Sequence, residues 1–218
     1  MEIVRKTAKQ RKDQSIRAVL DLAAREGPDR LSTQQIARAV GVTQPAIFRH
    51  FPTKQDLWTG VAEEIAEQMR RCWHRTLAGS SGPLPALCAL IAAQLDLLQT
   101  RPAILAIVFS HELQYENPAL REIFRDLMMD LHGHIADLVA ATRGARAVMS
   151  ETDREAAFLF LALVQGVALR WSLSGREFDL VEEGRRLLDL QVAALGLGAP
   201  VDEIGAPVDE TGNRGNAE

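Results

Sequence analysis

Residues 31–54, LSTQQIARAVGVTQPAIFRHFPTK, contain the signals for two short helices joined by a tight turn. Ser32 stands three residues before Gln35, which is the spacing of a capping box, and an apolar helical stripe follows. A helix is therefore expected to begin near residue 33. It is expected to end at Gly41, because glycine readily adopts the left-handed conformation that a sharp reversal requires.

The second helix of this pair is expected to begin near Thr43, whose hydroxyl can cap it. Pro45 is tolerated only in a first helical turn, where its missing N–H has no intrahelical partner. Ile47 and Phe51 repeat at i, i+4 and are expected to face the core. The other side chains then point toward solvent or a partner, and they are Gln44, Ala46, Arg49 and His50.

The flanking residues complete a three-helix unit. An apolar stripe predicts a first helix that ends at Gly27–Pro28, and Thr53 with Asp56 predicts the cap of a further helix. Lys54 lies in the first turn of that helix, where a cation is slightly unfavourable, so it indicates an external anion such as a phosphate. Such a bundle can present its third helix to the major groove of DNA. The stripe consists of Ile16, Val19, Leu20 and Ala23.

The charge distribution favours the same interpretation. The whole chain has a formal net charge of −4, but its first 60 residues hold 11 Lys and Arg against 6 Asp and Glu. The remainder holds 14 against 23, and all four lysines lie in the first part. A basic N-terminal unit on an acidic body is typical of a polyanion-binding module joined to a domain with another task.

Two motifs in this region carry a resemblance to a known family. They are I-A-x-x-x-G-V-T, which begins at Ile36, and aromatic-x-H-F-x-x-K, which begins at Phe48. With these spacings, the first 60 residues or so resemble the DNA-binding domain of the TetR (tetracycline repressor) family. The family usually has Tyr where this chain has Phe48, and the hydroxyl of that Tyr commonly contacts the DNA backbone. Phe48 has no hydroxyl, so this contact is absent or is made by Arg49 instead.

The resemblance implies a dimeric, all-helical regulator of transcription. It implies that Gln44 reads a base, that Pro45 and Ala46 touch thymine methyl groups, and that other side chains, Thr33, His50 and Lys54, hold phosphates. The complete set of expected DNA-binding residues is Thr33, Gln34, Thr43, Gln44, Pro45, Ala46, Phe48, Arg49, His50 and Lys54.

Several of these residues also have simpler interpretations. Phe48 and Phe51 can serve burial, since aromatic side chains usually do. Arg49 and Lys54 can be solvated charges, and His50 can be structural. The complete motif favours the DNA role for these last three residues.

The rest of the chain predicts a second helical domain. We expect a long helix from Thr53 to about Ala78, then helices over Ala86–Leu98 and Ala103–Leu113. A long helix should follow Asn117–Pro118 and end at Gly144, and Thr152–Asp153 should cap the next. The predicted fold is all-α, with a helix-turn-helix domain over 1–56, a helical effector-binding and dimerisation domain over 57–198, and a disordered tail over 199–218.

Residues 156–164, AAFLFLALV, are apolar on every side of a helix. Such a helix needs cover from its own domain and from a second body, and a partner subunit is the economical choice. With the helix from about Leu180 to Leu195 it is expected to form a four-helix bundle across a twofold axis. The expected interface residues are Phe160, Val164, Val167, Trp171, Leu187 and Gln191.

Other classes of protein lack support in the sequence. No signal peptide or membrane-spanning segment is visible, and the two cysteines, Cys72 and Cys88, are expected to be buried thiols in a reduced, cytoplasmic setting. His111 lacks a second histidine at zincin spacing, and His132 and His134 point to different helix faces, so no metal site is expected. No catalytic or cofactor-binding motif appears, so neither enzymatic activity nor a cofactor is expected.

The favoured hypothesis is a ligand-responsive repressor that binds double-stranded DNA as a homodimer, without any membrane partner. A lipophilic effector among the body helices would weaken DNA binding. A rival hypothesis is a DNA-bound protein whose body docks another protein and binds no small molecule, and a third is an enzyme with a vestigial DNA module. The candidate effector residues are Phe109, His111, Tyr115, Met128, Met129 and Gln165, each of which can instead be core.

Overall fold

The computed structural model describes residues 8–144 and 150–197, and every regular element in these residues is an α-helix. The predicted all-α fold is confirmed. The predicted tail over 199–218 lies outside the described residues. The helices are α1 Ala8–Glu26, α2 Thr33–Val40, α3 Gln44–Phe48, α4 Lys54–Ala78, α5 Pro83–Thr100, α6 Ala103–Val108, α7 His111–Glu116, α8 Pro118–Thr142, α9 Glu151–Leu173 and α10 Leu180–Ala194.

The head, which we define as residues 8–53, is the predicted helix-turn-helix unit. Ser32 and Gln35 form the expected capping box at the start of α2. Gly41 ends α2 with φ of 73°, and the N–H of Val42 donates to the carbonyl of Ala37 at 2.9 Å. Side chains from α1, α2 and α3 close the small core of the head: Ile16, Val19, Ala23, Leu31, Ile36, Ile47 and Phe51.

Helix α3 is shorter than a typical recognition helix, with five residues, and its predicted cap is only partly right. Thr43 occupies the N-cap position in extended conformation, but its hydroxyl accepts no capping hydrogen bond. Pro45 lies in the first turn, as expected. The fixed backbone of Pro45 therefore favours the start of this helix without help from the Thr43 side chain.

Helix α4 runs without interruption from the head into the body, which we define as residues 54–197. Thr53 and Asp56 form the predicted capping box at its start. Gly60 lets the buried Phe51 ring approach closely, since a Cβ at this position would lie 2.9 Å from Phe51 Cε1. The head is thus packed against the first turns of the helix that leaves it.

Two body helices begin at residues that the sequence analysis did not identify. The expected helix over Ala103–Leu113 is two helices, because Ser110 accepts the N–H of Leu113 at 3.0 Å and starts α7. The cap of α9 is Ser150 and not Thr152. Ser150 and Asp153 form a reciprocal capping box there, and the hydrogen bonds from Ser150 are the main reason that the pKa of Asp153 is lowered.

Two helices, α5 and α9, are long and apolar enough to span a membrane by length and composition. The expectation that the sequence contains no segment apolar enough to span a membrane is therefore wrong. Central helices of a helical domain have the same character. In this structure α5 buries Leu87, Leu90 and Ile91, and α9 buries Phe160.

Gly184 allows α10 to pack closely on α5, and its replacement tests this contact. A Cβ at Gly184 would overlap Cδ1 of Leu95, whose side chain is fully buried. We expect Gly184→Ala to lower the free energy of unfolding by ~1–3 kcal/mol, because a close-packed core must shift to accept the methyl group. Gly133→Ala is the matched control, since a Cβ there meets nothing within 4 Å.

The control should raise the free energy of unfolding by roughly 0.5–1 kcal/mol through helix propensity. Urea denaturation of both variants measures the two effects. If Gly184→Ala proved as stable as Gly133→Ala, the close packing of α10 on α5 would be contradicted.

Candidate nucleic-acid interface and effector cavity

Most of the expected DNA-binding residues are accessible in the head or at the start of α4. Gln34, Thr43, Gln44, Pro45 and Arg49 are exposed, while Thr33, Ala46, His50 and Lys54 are half-buried. The short α3 places Gln44 and Pro45 in its first turn, where side chains can reach beyond the helix end. These side chains are therefore within reach of a partner molecule.

A hydrogen bond joins the two helices of the helix-turn-helix at this surface. Gln44 Nε2 donates to Thr33 Oγ1 at 2.6 Å, which connects the first residue of α3 to the first residue of α2. In this arrangement the amide oxygen of Gln44 remains available as an acceptor. A base contact that uses both ends of the amide requires Gln44 to exchange Thr33 for the base edge.

The aromatic and basic residues of the second motif separate into core and surface. Phe51 is buried and Phe48 is 36% exposed, so Phe51 is a core residue and Phe48 is accessible. Lys54 forms no ion pair within the described residues. Lys12 Nζ lies 5.7 Å from the Phe51 ring centre and 3.9 Å from Glu63 Oε2, so this charge is engaged within the chain.

The body contains a cavity of about 990 Å³ among α4, α5, α6, α7, α8 and α9. Its walls are mostly apolar and are contributed by residues such as Met69, Leu98, Ile104, Phe124 and Leu131. Charged side chains are confined to its exposed rim, where Arg121, Glu122 and Arg125 lie. A mostly apolar cavity with few polar groups is the usual character of a small-molecule site.

Three of the six expected effector residues line this cavity and three do not. Phe109, Met128 and Gln165 line it. His111 and Tyr115 lie on the separate helix α7, where their rings stack on each other and Tyr115 is 77% exposed. Met129 is also exposed, on a part of α8 that turns away from the cavity. Placing those three in the pocket was wrong. The break at Ser110 starts a new helix for His111 and Tyr115, and Met129 lies on an exposed side of α8.

Sequence analysis missed the polar pair that lies in the buried wall of the cavity. Trp73 on α4 donates its indole N–H to Gln94 Oε1 on α5 at 2.7 Å. Gln94 occupies a position in the apolar stripe of α5, between Leu90 and Leu98. The amide of Gln94 within this apolar stripe was the feature of the sequence that could have revealed the pair.

Helix α6 separates the cavity from the head. Ile104 on α6 lines the cavity and also lines a second one, of about 690 Å³, between α1, α4 and α6. Beyond α6, the Ser110 hydroxyl donates to the carboxylate of Asp29 in the head. A change at the cavity wall therefore has a direct physical route to α1 and the α1–α2 loop.

Asn117 makes a second connection, between the start of α8 and the start of α4. Its Nδ2 donates to the carbonyl of Gln55 at 3.0 Å and to Thr59 Oγ1 at 3.1 Å, and the residue is buried. Its Oδ1 also accepts the N–H of Leu120 and so caps α8. One side chain thus fixes α8 to the helix that carries Lys54.

The expected dimer interface is wrong at four of its six residues. Their side chains pack inside their own chain, against the neighbouring helices, and are no more than 4% exposed: Phe160, Val164, Val167 and Trp171. Leu187 and Gln191 instead line a groove between α9 and α10. The outward apolar face of α9 consists of Leu159, Ala162, Leu163, Gly166 and Leu173, and Leu190 and Ala194 extend it onto α10.

Two features of α10 concern this outward face. Gln191 Nε2 is fully covered and has no hydrogen-bond partner among the described residues. Glu183 accepts hydrogen bonds from Arg186 and from Arg170 of α9, and they hold the pKa of Glu183 at about 2. The ion pair between Arg170 and Glu183 fixes α10 against α9, so the two helices present a single surface.

Comparison with known proteins agrees with this architecture. Residues 16–59 match the family of bacterial regulatory proteins of the TetR type. The nucleoid occlusion factor SlmA of Aliivibrio fischeri is 31% identical over 112 residues, which are 51% of this chain and 57% of that protein. The chain therefore spans less than two thirds of the length of this curated relative.

Solved structures share the fold over most of the chain. A transcriptional regulator of Pseudomonas aeruginosa has a TM-score of 0.74 at 21% identity, over 89% of this chain and 94% of its own. FadR of Bacillus subtilis, solved in complex with stearoyl-CoA, has a TM-score of 0.68 at 19% identity, over 83% and 97%. Residues 16–59 are thus a DNA-binding segment of the TetR type, and the helices of the whole chain share the fold of these solved regulators.

Proposed function

We propose that the protein is a cytoplasmic, ligand-responsive transcriptional repressor that binds a palindromic operator as a homodimer. A small-molecule effector in the body cavity would release it. The observation that carries this proposal is the position of Ile104, in the wall of the cavity and against the head. Residues 1–56 would act as the DNA-binding domain and residues 57–198 as the effector-binding and dimerisation domain.

In the proposed complex, α3 enters the major groove and Gln44 reads a base edge. Its amide can pair bidentately with adenine once it leaves Thr33. Pro45 and Ala46 offer apolar surface to thymine methyl groups. The remaining contacts are to phosphates or lie near them, and we assign them to Thr33, Gln34, Thr43, Phe48, Arg49, His50 and Lys54.

The effector would act through the walls of the cavity. A ligand that contacts Ile104 displaces α6, and the Ser110–Asp29 contact carries the displacement to the head. In a dimer, a small rotation of each head changes the separation of the two recognition helices. A coupling of ~1–3 kcal/mol suffices for several-fold to about hundredfold weaker DNA binding.

The effector is proposed to be lipophilic. Apolar side chains form most of the cavity surface, and the volume accommodates a molecule much larger than a single amino acid. The structurally similar FadR of Bacillus subtilis was solved with stearoyl-CoA, which has a long acyl chain. This likeness supports a lipophilic ligand.

A second candidate function is that of a DNA-bound protein whose body docks another protein. The curated relative named nucleoid occlusion factor favours it, although it matches only part of the chain. Exposed apolar side chains such as Phe158 and Leu173 offer a docking surface. A protein of this kind would not need its cavity to respond to small molecules, and that difference separates the two candidates.

Dimerisation is proposed to use the outward face of α9 and α10. Leu159 and Leu190 are each more than half exposed in the isolated chain. Gly166 lines the same groove as Leu190 and has open space above it, so a helix from a partner subunit can approach closely.

The first prediction separates sequence reading from phosphate contact. Lys54→Ala should weaken binding to every DNA sequence alike and reduce the log–log salt slope by about 0.9, because one phosphate is no longer neutralised. Gln44→Ala should weaken the free energy of binding to the selected operator by ~1–3 kcal/mol and relax the sequence preference at one base pair per half-site. Arg75→Ala, near the far end of α4, is the control for loss of an exposed charge.

Binding-site selection with the parent and each variant, at one salt concentration, makes this comparison. Identical base preferences for the parent and Gln44→Ala would show that Gln44 does not read sequence. A Lys54→Ala variant with full affinity and the parent salt slope would contradict the phosphate contact.

The second prediction concerns assembly. Leu159→Glu should weaken the dimer at least about thirtyfold, because burial of one unpaired charge costs ~2 kcal/mol or more. Met129→Glu is the matched control, since Met129 is similarly exposed but lies on α8. Sedimentation equilibrium measures both. A monomeric parent, or a Leu159→Glu protein that dimerises like the parent, would contradict the proposed interface.

The third prediction tests the proposed function itself. Lipophilic compounds that raise the melting temperature should also lower operator affinity, because they bind one conformation of the regulator better than the other. Leu161→Trp, which fills part of the cavity from α9, should bind the operator normally and lose most of the response to the compound. Compounds that stabilise the protein without any effect on DNA binding would favour the docking function.

A further inference from the structure

The polar pair in the buried wall of the cavity limits what the cavity can bind. Gln94 is 4% exposed and Trp73 is 1% exposed, and both line the cavity. Around them the wall is built from apolar residues such as Met69, Leu98 and Leu131. A buried amide in such surroundings is stable only when its donors and acceptor find partners.

Trp73 determines which end of the Gln94 amide faces the cavity. An indole N–H can only donate, so the atom that receives it at 2.7 Å must be Oε1 of Gln94. The amide nitrogen therefore points away from Trp73. Within the described residues Gln94 Nε2 donates no hydrogen bond, and it is not among the fully covered atoms that lack a partner. Its N–H groups are thus open to the cavity.

We propose that the cavity selects lipophilic molecules that carry an uncharged acceptor oxygen, of the carbonyl type, at their buried end. The oxygen would accept a hydrogen bond from Gln94 Nε2, with the apolar part of the ligand against the surrounding wall. The inference rests on the proposed effector role of this cavity. It adds the chemical class of the effector to that proposal.

Charge excludes an ionised group at this end of the cavity. The charged residues that line the cavity, Arg121, Glu122 and Arg125, are exposed at its rim, and Arg125 is already paired with Glu122 and Asp126. A carboxylate beside Gln94 would be buried without a counterion, which is strongly unfavourable. A ligand that has both a carbonyl and an acidic group would place the acid at the rim.

Two fluorescent probes of nearly equal shape test this selection. One is 6-propionyl-2-(dimethylamino)naphthalene, whose emission shifts to the red when its carbonyl accepts a hydrogen bond. The other is 6-propyl-2-(dimethylamino)naphthalene, which lacks the carbonyl. We expect the unmodified protein to bind the ketone about tenfold more tightly, since a neutral hydrogen bond contributes about that factor.

Matched variants assign the preference to one side chain. Gln94→Met keeps the length of the side chain and a weak acceptor for Trp73 but has no donor. This variant should bind both probes equally, and the emission of the bound ketone probe should be shifted to the blue. Gln55→Met makes the same change in the exposed first turn of α4, outside the cavity, and should keep the parent preference. Leu161→Trp should lower the affinity for both probes if they occupy this cavity.

Three results would contradict parts of this account in different ways. Equal affinity of the two probes for the unmodified protein would overturn the carbonyl selection but leave the effector cavity intact. A ketone preference that survives Gln94→Met would overturn the role of Gln94. If neither probe bound, the effector cavity itself would be contradicted, and the proposed function with it. The comparison of the probes in the unmodified protein does not depend on the folding of any variant.

Discussion

The continuity of α4 is the constraint on which the rest of the structure depends. The helix begins at Lys54 beneath the helix-turn-helix and continues for 25 residues, or about 37 Å, to the far end of the cavity. Its first turns pack against Phe51 of the head, and Trp73 in its last turns lines the cavity. Because no break interrupts the helix, a shift of the cavity wall at one end of α4 can be transmitted to the head at the other. The proposed regulation depends on this rigid connection.

Helix α6 provides a second, shorter route between the same two regions. It is six residues long, it is almost wholly apolar, and it lies between the cavity and α1. The hydrogen bond from Ser110 to Asp29 holds the head to the body, and Asn117 fixes α8 to the first turns of α4 through Gln55 and Thr59. A ligand that displaces α6 must therefore strain or shift the head. Each route connects chemistry at the cavity to the orientation of the recognition helix.

Local signals in the sequence predicted the head in detail, whereas the body required tertiary information. Capping boxes at Ser32 and Thr53 and the left-handed Gly41 depend on a few neighbouring residues, so the chain itself encodes them. Phe160 shows the limit. A helix that is apolar on every side has no preferred inner face, and its neighbours alone decide that Phe160 is core and Leu159 is exposed. His111 and Tyr115 were misplaced for a similar reason, because the cap at Ser110 redirects a helix that composition alone would continue.

The reciprocity of binding offers the most direct test of the central claim, that the cavity and the DNA-binding surface are coupled. Any effector that lowers operator affinity must bind less tightly to the operator-bound protein by the same factor. The decisive measurement is the dissociation constant of one cavity ligand, determined for the free protein and for the protein saturated with operator DNA. We expect saturation with operator DNA to raise the dissociation constant of the ligand by several-fold to about a hundredfold. Equal dissociation constants in the two states would show that the cavity and the head act independently and would contradict the account.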